Sequence, residues 1–117
     1  MYFTYNEDSP AMTLVSQATT AQATPTSADI VMLYSNGAGT ATLNTDLTAE
    51  VSRDGGTTWT SATLASQGTT GGHTIVTAHG VDISSQPSGT SMKWRVKTLN
   101  QSGSRETRIQ AVSMGWA

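Results

Sequence analysis

The sequence contains no cysteine, and this absence removes two kinds of stabilisation. Neither a disulfide framework nor a thiolate metal site can form, so cysteine usage does not indicate a redox compartment. Long apolar runs are also missing, and the N-terminus lacks the basic segment and apolar stretch of a secretory signal. We therefore expect a soluble domain with no membrane insertion.

Charged residues are scarce, at 12% of a 117-residue chain, and Leu, Lys, Glu and Arg are too few for a helical bundle. The chain instead holds 21 Thr, 14 Ser and 11 Gly. Thr is β-branched and suits a pleated surface that is half exposed to water, and frequent glycines mark turns between short strands. The length allows one domain. We expect a lead-in segment over residues 1–10 and a single domain over residues 11–117.

Alternation of apolar and polar residues predicts the strands. The clearest strand covers residues 46–53, where Leu47, Ala49 and Val51 share one face. Residues 28–35 are nearly continuously apolar, which predicts either burial on both faces or one face covered by a neighbouring chain. Further strands are predicted at 12–20, 40–43, 59–65, 73–78, 81–84, 90–98 and 107–116, with a polar loop at 66–72. About eight or nine short strands with regular turns predict an all-β fold, an antiparallel β-sandwich of jelly-roll type.

The lead-in segment carries Tyr2, Phe3 and Tyr5, followed by Glu7 and Asp8. Its aromatic side chains either dock on the domain or meet a partner. Docking on the domain is the interpretation that we favour, because termini of folded domains are ordered only when something holds them.

One motif, Ser52-x-Asp54-x-Gly56-x-Thr58-Trp59, lies at the turn that follows the strand at 46–53, and each of its residues has a local structural purpose. It resembles the Asp-box hairpin of sialidase propellers. The carboxylate accepts hydrogen bonds from turn amides, the glycine takes a backbone angle that a Cβ would penalise, and the tryptophan folds over the base of the hairpin. A sialidase needs several copies and a greater length, so we predict a structural role. The motif residues are Ser52, Asp54, Gly56, Thr58 and Trp59.

Catalytic and cofactor motifs give weaker signals. His73, His79 and Asp82 offer metal-ligand chemistry, but two histidines six residues apart on one strand stand about 20 Å from each other, too far for one ion. No nucleophile elbow and no phosphate-binding glycine loop is present. We therefore expect no enzyme activity, no metal and no cofactor.

Formal charge is unevenly distributed along the chain. Residues 1–92 hold seven acids and one base, whereas residues 93–117 hold five bases and one acid. The bases predict a positive stripe that attracts anionic sugars or phosphate groups. The alternative, which we favour, is that they pair across the sheet with Glu50, Asp46 or Asp82, or keep a sheet edge soluble. Nucleic acid is not expected as a partner, since the net charge is −2. The five candidate contact residues are Lys93, Arg95, Lys97, Arg105 and Arg108.

Strand and turn signatures without catalytic content extend over almost the whole chain, from Tyr2 to Trp116. They are Phe3-Thr4-Tyr5-Asn6, Met12-Thr13-Leu14-Val15-Ser16, residues 43–59, residues 73–79, Val81-Asp82-Ile83-Ser84, Gln86-Pro87-Ser88-Gly89 and residues 92–98. In these signatures the chain resembles the C-terminal domain of tail-fibre or tail-associated structural proteins of tailed bacteriophages.

The resemblance implies a virion protein made in the host cytoplasm, homotrimeric, with other virion proteins as partners. As the distal domain of a tail fibre it would contribute to attachment to a bacterial surface glycan through the loops at residues 36–42, 66–72 and 99–104. The alternative is a purely architectural virion domain, such as a trimerisation cap or a capsid decoration. A hydrolase of envelope polysaccharide is the least favoured class, because no pair of carboxylates at a workable separation stands out.

Overall fold

The computed structural model describes residues 3–4, 12–102 and 104–117, and it confirms the all-β prediction. No helix in this part of the chain is long and apolar enough to cross a membrane. The described strands are β1 (Phe3–Thr4), β2 (Met12–Val15), β3 (Thr19–Thr20), β4 (Ser27–Ala38), β5 (Leu47–Ser52), β6 (Thr60–Ala62), β7 (Ala65–Thr70), β8 (His73–Asp82), β9 (Ser91–Thr98) and β10 (Glu106–Trp116).

The strands form two antiparallel sheets. Sheet A has the order β1-β10-β4-β8-β7, and sheet B has the order β2-β9-β5-β6, with β3 also pairing with β9. Consecutive strands pass repeatedly from one sheet to the other, so β1-β10-β4-β8 and β2-β9-β5-β6 form the two four-stranded halves of a jelly roll. Strand β7 adds a fifth strand at the edge of sheet A.

The core lies between the sheets and follows the period of two that places alternate side chains on one face. In β4 the buried residues are Ala28, Ile30, Met32 and Tyr34, and in β5 they include Leu47, Ala49 and Val51. Full burial of one large aliphatic side chain contributes about 1.5–3 kcal/mol. Other large residues with almost no exposure are Val76, Ile83, Met92, Val96 and Ile109.

The predicted loop at 66–72 is wrong, because most of it is strand β7. Gly71 and Gly72 have φ values of +56° and +82°, and Thr70 pairs with His73 across them. Positive φ at both central residues is what a tight two-residue hairpin turn requires. Polar composition indicated a loop, but the β-branched threonines and the Gly-Gly turn favour a hairpin at a solvated sheet edge.

Other boundaries also differ from the sequence prediction. Residues 73–78 and 81–84 are not separate strands, since β8 runs through Gly80 with a register shift opposite Asp29. The Asp29 carboxylate accepts the N–H of Gly80 at 2.7 Å and so stabilises the bulge. The predicted strand at 12–20 is divided into β2 and β3, and residues 40–43 contain only an isolated bridge at Leu43.

The lead-in segment lies mostly outside the described residues, including Tyr2 and Tyr5. Phe3 and Thr4 pair with Ile109 and Arg108, so this short piece of backbone forms one edge of sheet A.

Candidate functional site

The Asp-box-like hairpin joins β5 to β6 through short hydrogen bonds. The Ser52 hydroxyl donates to Asp54 Oδ1 at 2.7 Å and accepts the N–H of Gly56 at 2.9 Å. The same Asp54 oxygen accepts the N–H groups of Thr57 and Thr58 at 3.2 and 2.8 Å. Burial acts to raise the pKa of Asp54, but the hydrogen bonds stabilise the carboxylate and hold the pKa below its ordinary value. The ionised Asp54 carboxylate therefore stabilises the turn between β5 and β6 through these hydrogen bonds.

Trp59 connects the hairpin to strand β9. The guanidinium carbon of Arg95 lies 4.3 Å from the centroid of the indole ring, a cation–π contact. Gly56 has a φ of +94°, and a Cβ at this position would stand 3.3 Å from the indole, so a larger residue would crowd the ring. Through the contact between Trp59 and Arg95, the motif thus packs against the outer face of sheet B.

The three bases of β9 lie on that outer face, and an acid on β5 neutralises part of their charge. Arg95 donates from Nε and Nη2 to the two oxygens of Glu50 at 2.8 and 2.7 Å, and Lys97 Nζ lies 3.6 Å from Oε1. The hydrogen bond from Arg95 is the main cause that holds the pKa of Glu50 below its ordinary value. For Lys93, the described part of the chain provides no ion pair.

Arg105 and Arg108 do not continue the stripe of β9. Arg108 lies on β10, in the other sheet, with Nε 2.7 Å from Oε1 of Glu106. Arg105 precedes β10, and its Nε lies 3.5 Å from the buried carboxylate of Asp46. The five candidate contact residues are therefore divided between two sheets, and four of them lie beside acids. The ligand-contact role stays a prediction.

The histidines are both on β8. His79 Nδ1 lies 3.8 Å from Asp29 Oδ1 at an exposed position, and His73 is half-buried near the hairpin turn. Among the described residues, no three His, Asp or Glu side chains converge as metal ligands.

Among the described residues, a buried arginine forms the most extensive side-chain network, and the prediction from the sequence did not single it out. Arg53 is only 5% exposed. Its guanidinium donates to the carbonyl oxygens of Pro25 at 2.7 Å, Pro87 at 3.1 Å and Ser84 at 3.1 Å, and also to that of Gln86. The cluster, which we call the Arg53 clamp, ties the start of β4 to the turn between β8 and β9.

Gln86 completes the clamp from the opposite side. Its side-chain oxygen accepts the backbone N–H of Arg53 at 2.8 Å, and its side-chain amide nitrogen donates to Val51 O and Thr60 Oγ1 at 2.9 and 2.8 Å. The sequence did point to burial of Arg53. It follows Leu47, Ala49 and Val51 at the same two-residue spacing, so its side chain is expected on the inward face of the strand. No comparable signal marks Gln86, whose partners come from distant parts of the chain.

Two further carboxylates accept hydrogen bonds in loops and turns. Asp46 accepts the N–H of Thr42 at 2.8 Å, the main cause that lowers its pKa, and an N–H of Asn100 at 2.8 Å. Asp82 accepts the N–H and O–H of Ser84, at 2.9 and 2.6 Å, and the hydroxyl contact is the main cause of its lowered pKa. These acids stabilise turns, and the prediction that the protein is not an enzyme stays a prediction.

A shallow groove of about 480 Å³ opens at one end of the sandwich. The segment between β3 and β4 forms one wall, and the end of β10 forms the other. The lining residues are Thr20, Ala21, Gln22, Ala23, Thr24, Pro25, Trp116 and Ala117.

The outer face of sheet A is apolar at its centre. Leu33 of β4 lies between its register partners Ile75 and Ala111, and Val31 on the same face is 41% exposed. The inward neighbours Met32 and Val76 are fully buried, so β4 carries apolar side chains on both faces. We call the four outward residues Val31, Leu33, Ile75 and Ala111 the outer apolar patch.

Comparison of the chain with protein-family models, with curated proteins and with solved structures found no match.

Proposed function

We propose that the protein is a structural module of a tailed-phage virion, the distal domain of a tail fibre, which packs against neighbouring copies through the outer apolar patch. The observation that supports this is that β4 has apolar side chains on both faces, and among the described residues Val31 on its outer face stays 41% exposed. A contiguous apolar surface on a folded domain marks an interaction site. Leu33 pairs with Ile75 and Ala111, and Val31 precedes Leu33 by two residues on the same face of β4, so the four side chains form one surface.

The size of the face sets the expected strength of association. The patch spans three strands about 4.8 Å apart and about three residues of β4 at a rise of 3.3 Å, so it covers roughly 140 Å². A stable interface buries about 800 Å² per partner, so the patch provides less than about a fifth of that area. We therefore expect weak self-association of the isolated chain and firmer assembly where further contacts or multivalency add to it.

Two other considerations support a virion origin. The phage tail-fibre resemblance extends over nearly the whole chain, from the lead-in segment to Trp116. The jelly-roll order of the strands is common among viral capsid and lectin domains, although a fold alone does not specify a function.

The test compares Val31→Glu with Val15→Glu as a matched control. Val15 is 50% exposed on β2, in the other sheet, so the control places the same charge on the opposite outer face. Sedimentation from micromolar to millimolar concentration should show self-association of the wild type and of Val15→Glu, and loss of association in Val31→Glu. A wild type that stays monomeric at millimolar concentration, or a Val31→Glu chain that associates as the wild type does, would contradict the proposal.

Host attachment is the second part of the proposal, and the groove beside Trp116 favours it. It is an open concave surface that carries an aromatic side chain and uncharged polar groups, whereas most of the β9 and β10 bases lie beside acids. Retention on a glycan array or on intact bacterial cells tests attachment. A protein that assembles but is retained on neither would be the purely architectural domain.

A further inference from the structure

The groove at the end of the sandwich is preformed because hydrogen bonds hold both of its walls. The N–H of Ala21 donates to Thr90 O at 2.8 Å, and the Pro25 carbonyl accepts Nη1 of Arg53 at 2.7 Å. On the other wall, the N–H groups of Thr26 and Ser27 donate to Ala117 O at 2.9 and 3.2 Å. A site whose walls are already ordered loses little conformational freedom when a ligand binds.

The lining combines one aromatic ring with uncharged polar groups. Trp116 is half-buried, packs partly against the core and lines the groove with the remainder of its surface. Thr20, Gln22 and Thr24 are exposed along the opposite wall and supply two hydroxyls and one amide. None of the eight described lining residues has an ionisable side chain. A ligand that suits this lining is uncharged, rich in hydroxyl groups, and apolar on one face.

We propose that the groove binds a neutral pyranose residue of a host-surface glycan, with the C–H face of the ring against Trp116 and its hydroxyls hydrogen-bonded by Gln22 and the threonines. A pyranose ring presents axial C–H groups on its faces and hydroxyls around its rim. The electron-rich face of an indole attracts such C–H groups, and an amide both donates and accepts hydrogen bonds to hydroxyls. The inference rests on the attachment part of the proposed function and assigns its ligand class and its place in the fold.

The dimensions agree with a weak sugar site. A volume of about 480 Å³ lies within the range of roughly 300–1,000 Å³ that small-molecule sites occupy. The groove is open and offers few polar contacts, so we expect a Kd of about 1 mM or weaker for one monosaccharide. Several copies in one fibre would raise the effective affinity by about 10²–10⁴.

The lack of ionisable side chains among the described lining residues distinguishes this groove from the bases of β9. An anionic sugar attracted to Lys93 or Lys97 would bind more weakly as salt increases, because the ions screen exposed charges. A neutral sugar in the groove should bind equally well at low and high salt.

The experiment follows amide and indole N–H signals of the full chain by NMR during titration with four separate probes. Three are uncharged, namely methyl α-glucopyranoside, methyl β-galactopyranoside and N-acetylglucosamine, and glucuronate is the charged comparison. We expect at least one uncharged probe to give saturable shifts at residues 20–24 and at the Trp116 indole N–H, independent of salt. The absence of saturable shifts for all uncharged probes up to about 50 mM would overturn the inference, as would shifts confined to β9.

Variants separate binding from folding. Gln22→Ala removes an exposed amide and should weaken binding about two- to tenfold, the value of one lost hydrogen bond. Gln67→Ala removes an exposed amide from β7, outside the lining, and Lys93→Glu reverses a charge on β9, and both should bind as the wild type does. Unchanged binding by Gln22→Ala would refute the assignment.

The results also distinguish this inference from the proposed function. If Val31→Glu abolishes self-association but no uncharged sugar binds, the assembly proposal stands and the groove assignment fails. If sugars bind in the groove but the wild type stays monomeric at millimolar concentration, the site stands and the assembly proposal fails.

Discussion

Removal of the Arg53 guanidinium should be the most destabilising single change outside the apolar core. Arg53→Met keeps a long side chain but removes all four hydrogen bonds to the carbonyl oxygens of Pro25, Ser84, Gln86 and Pro87. Replacing a buried ion pair by apolar residues is often harmless, because both charges disappear together. Here the acceptors are backbone carbonyls, which stay in place and lose their donor.

The expected loss of unfolding free energy in Arg53→Met depends on how many of the four carbonyl oxygens remain buried from water. The bonds to Pro25 and Gln86 are buried, whereas those to Ser84 and Pro87 are near the surface, where water can replace the lost donor. Each buried unsatisfied acceptor costs about 1–3 kcal/mol, so two of them cost about 2–6 kcal/mol. A domain of this size is stable by about 5–15 kcal/mol, so the variant loses a large share of its stability.

Urea unfolding followed by tryptophan fluorescence measures the effect, with Arg53→Lys as the conservative comparison. Lysine keeps the charge and has three donors on one nitrogen, but it cannot reach the carbonyls in the fork geometry of arginine, so an intermediate loss is expected. A loss below about 1 kcal/mol in Arg53→Met with an unchanged urea dependence would show that the carbonyls find other partners and that the clamp contributes little.

Two further predictions concern the ionised acids. The pKa of Asp46 is lowered in the folded protein, so the unfolded chain binds a proton at this carboxylate more readily than the folded chain does. The stability that Asp46 contributes is therefore present at neutral pH and is lost as pH falls below about 4. Asp46→Asn should flatten the pH dependence of the urea midpoint in that window, and an unchanged profile would assign the dependence to other acids. A double-mutant cycle of Glu50→Ala and Arg95→Ala should give a coupling of about 1–2 kcal/mol, since two charge-assisted hydrogen bonds join the partly buried pair. A coupling near zero would mean that solvent screens the pair.

The candidate sites were less predictable from the sequence than the fold. The Asp-box-like motif was visible because the side-chain hydrogen bonds of Ser52 and Asp54 join neighbours in the chain. The groove beside Trp116 was not, since its two walls are about 90 residues apart in the sequence. The basic stripe was predicted as one surface of up to five charges, but strand order separates Arg108 from Lys93 and places Glu50 directly opposite Arg95.

The sequence by itself determined the class of fold, because apolar alternation, β-branched threonines and turn glycines act over a few residues and all indicate short strands. It also determined that β4 is apolar on both faces. Only the tertiary structure decided which segments pair, that Arg53 is buried among carbonyls, and that the ends of β3, β4 and β10 enclose a groove. These features depend on contacts between distant residues, and a local pattern carries no information on which distant strand will be the neighbour.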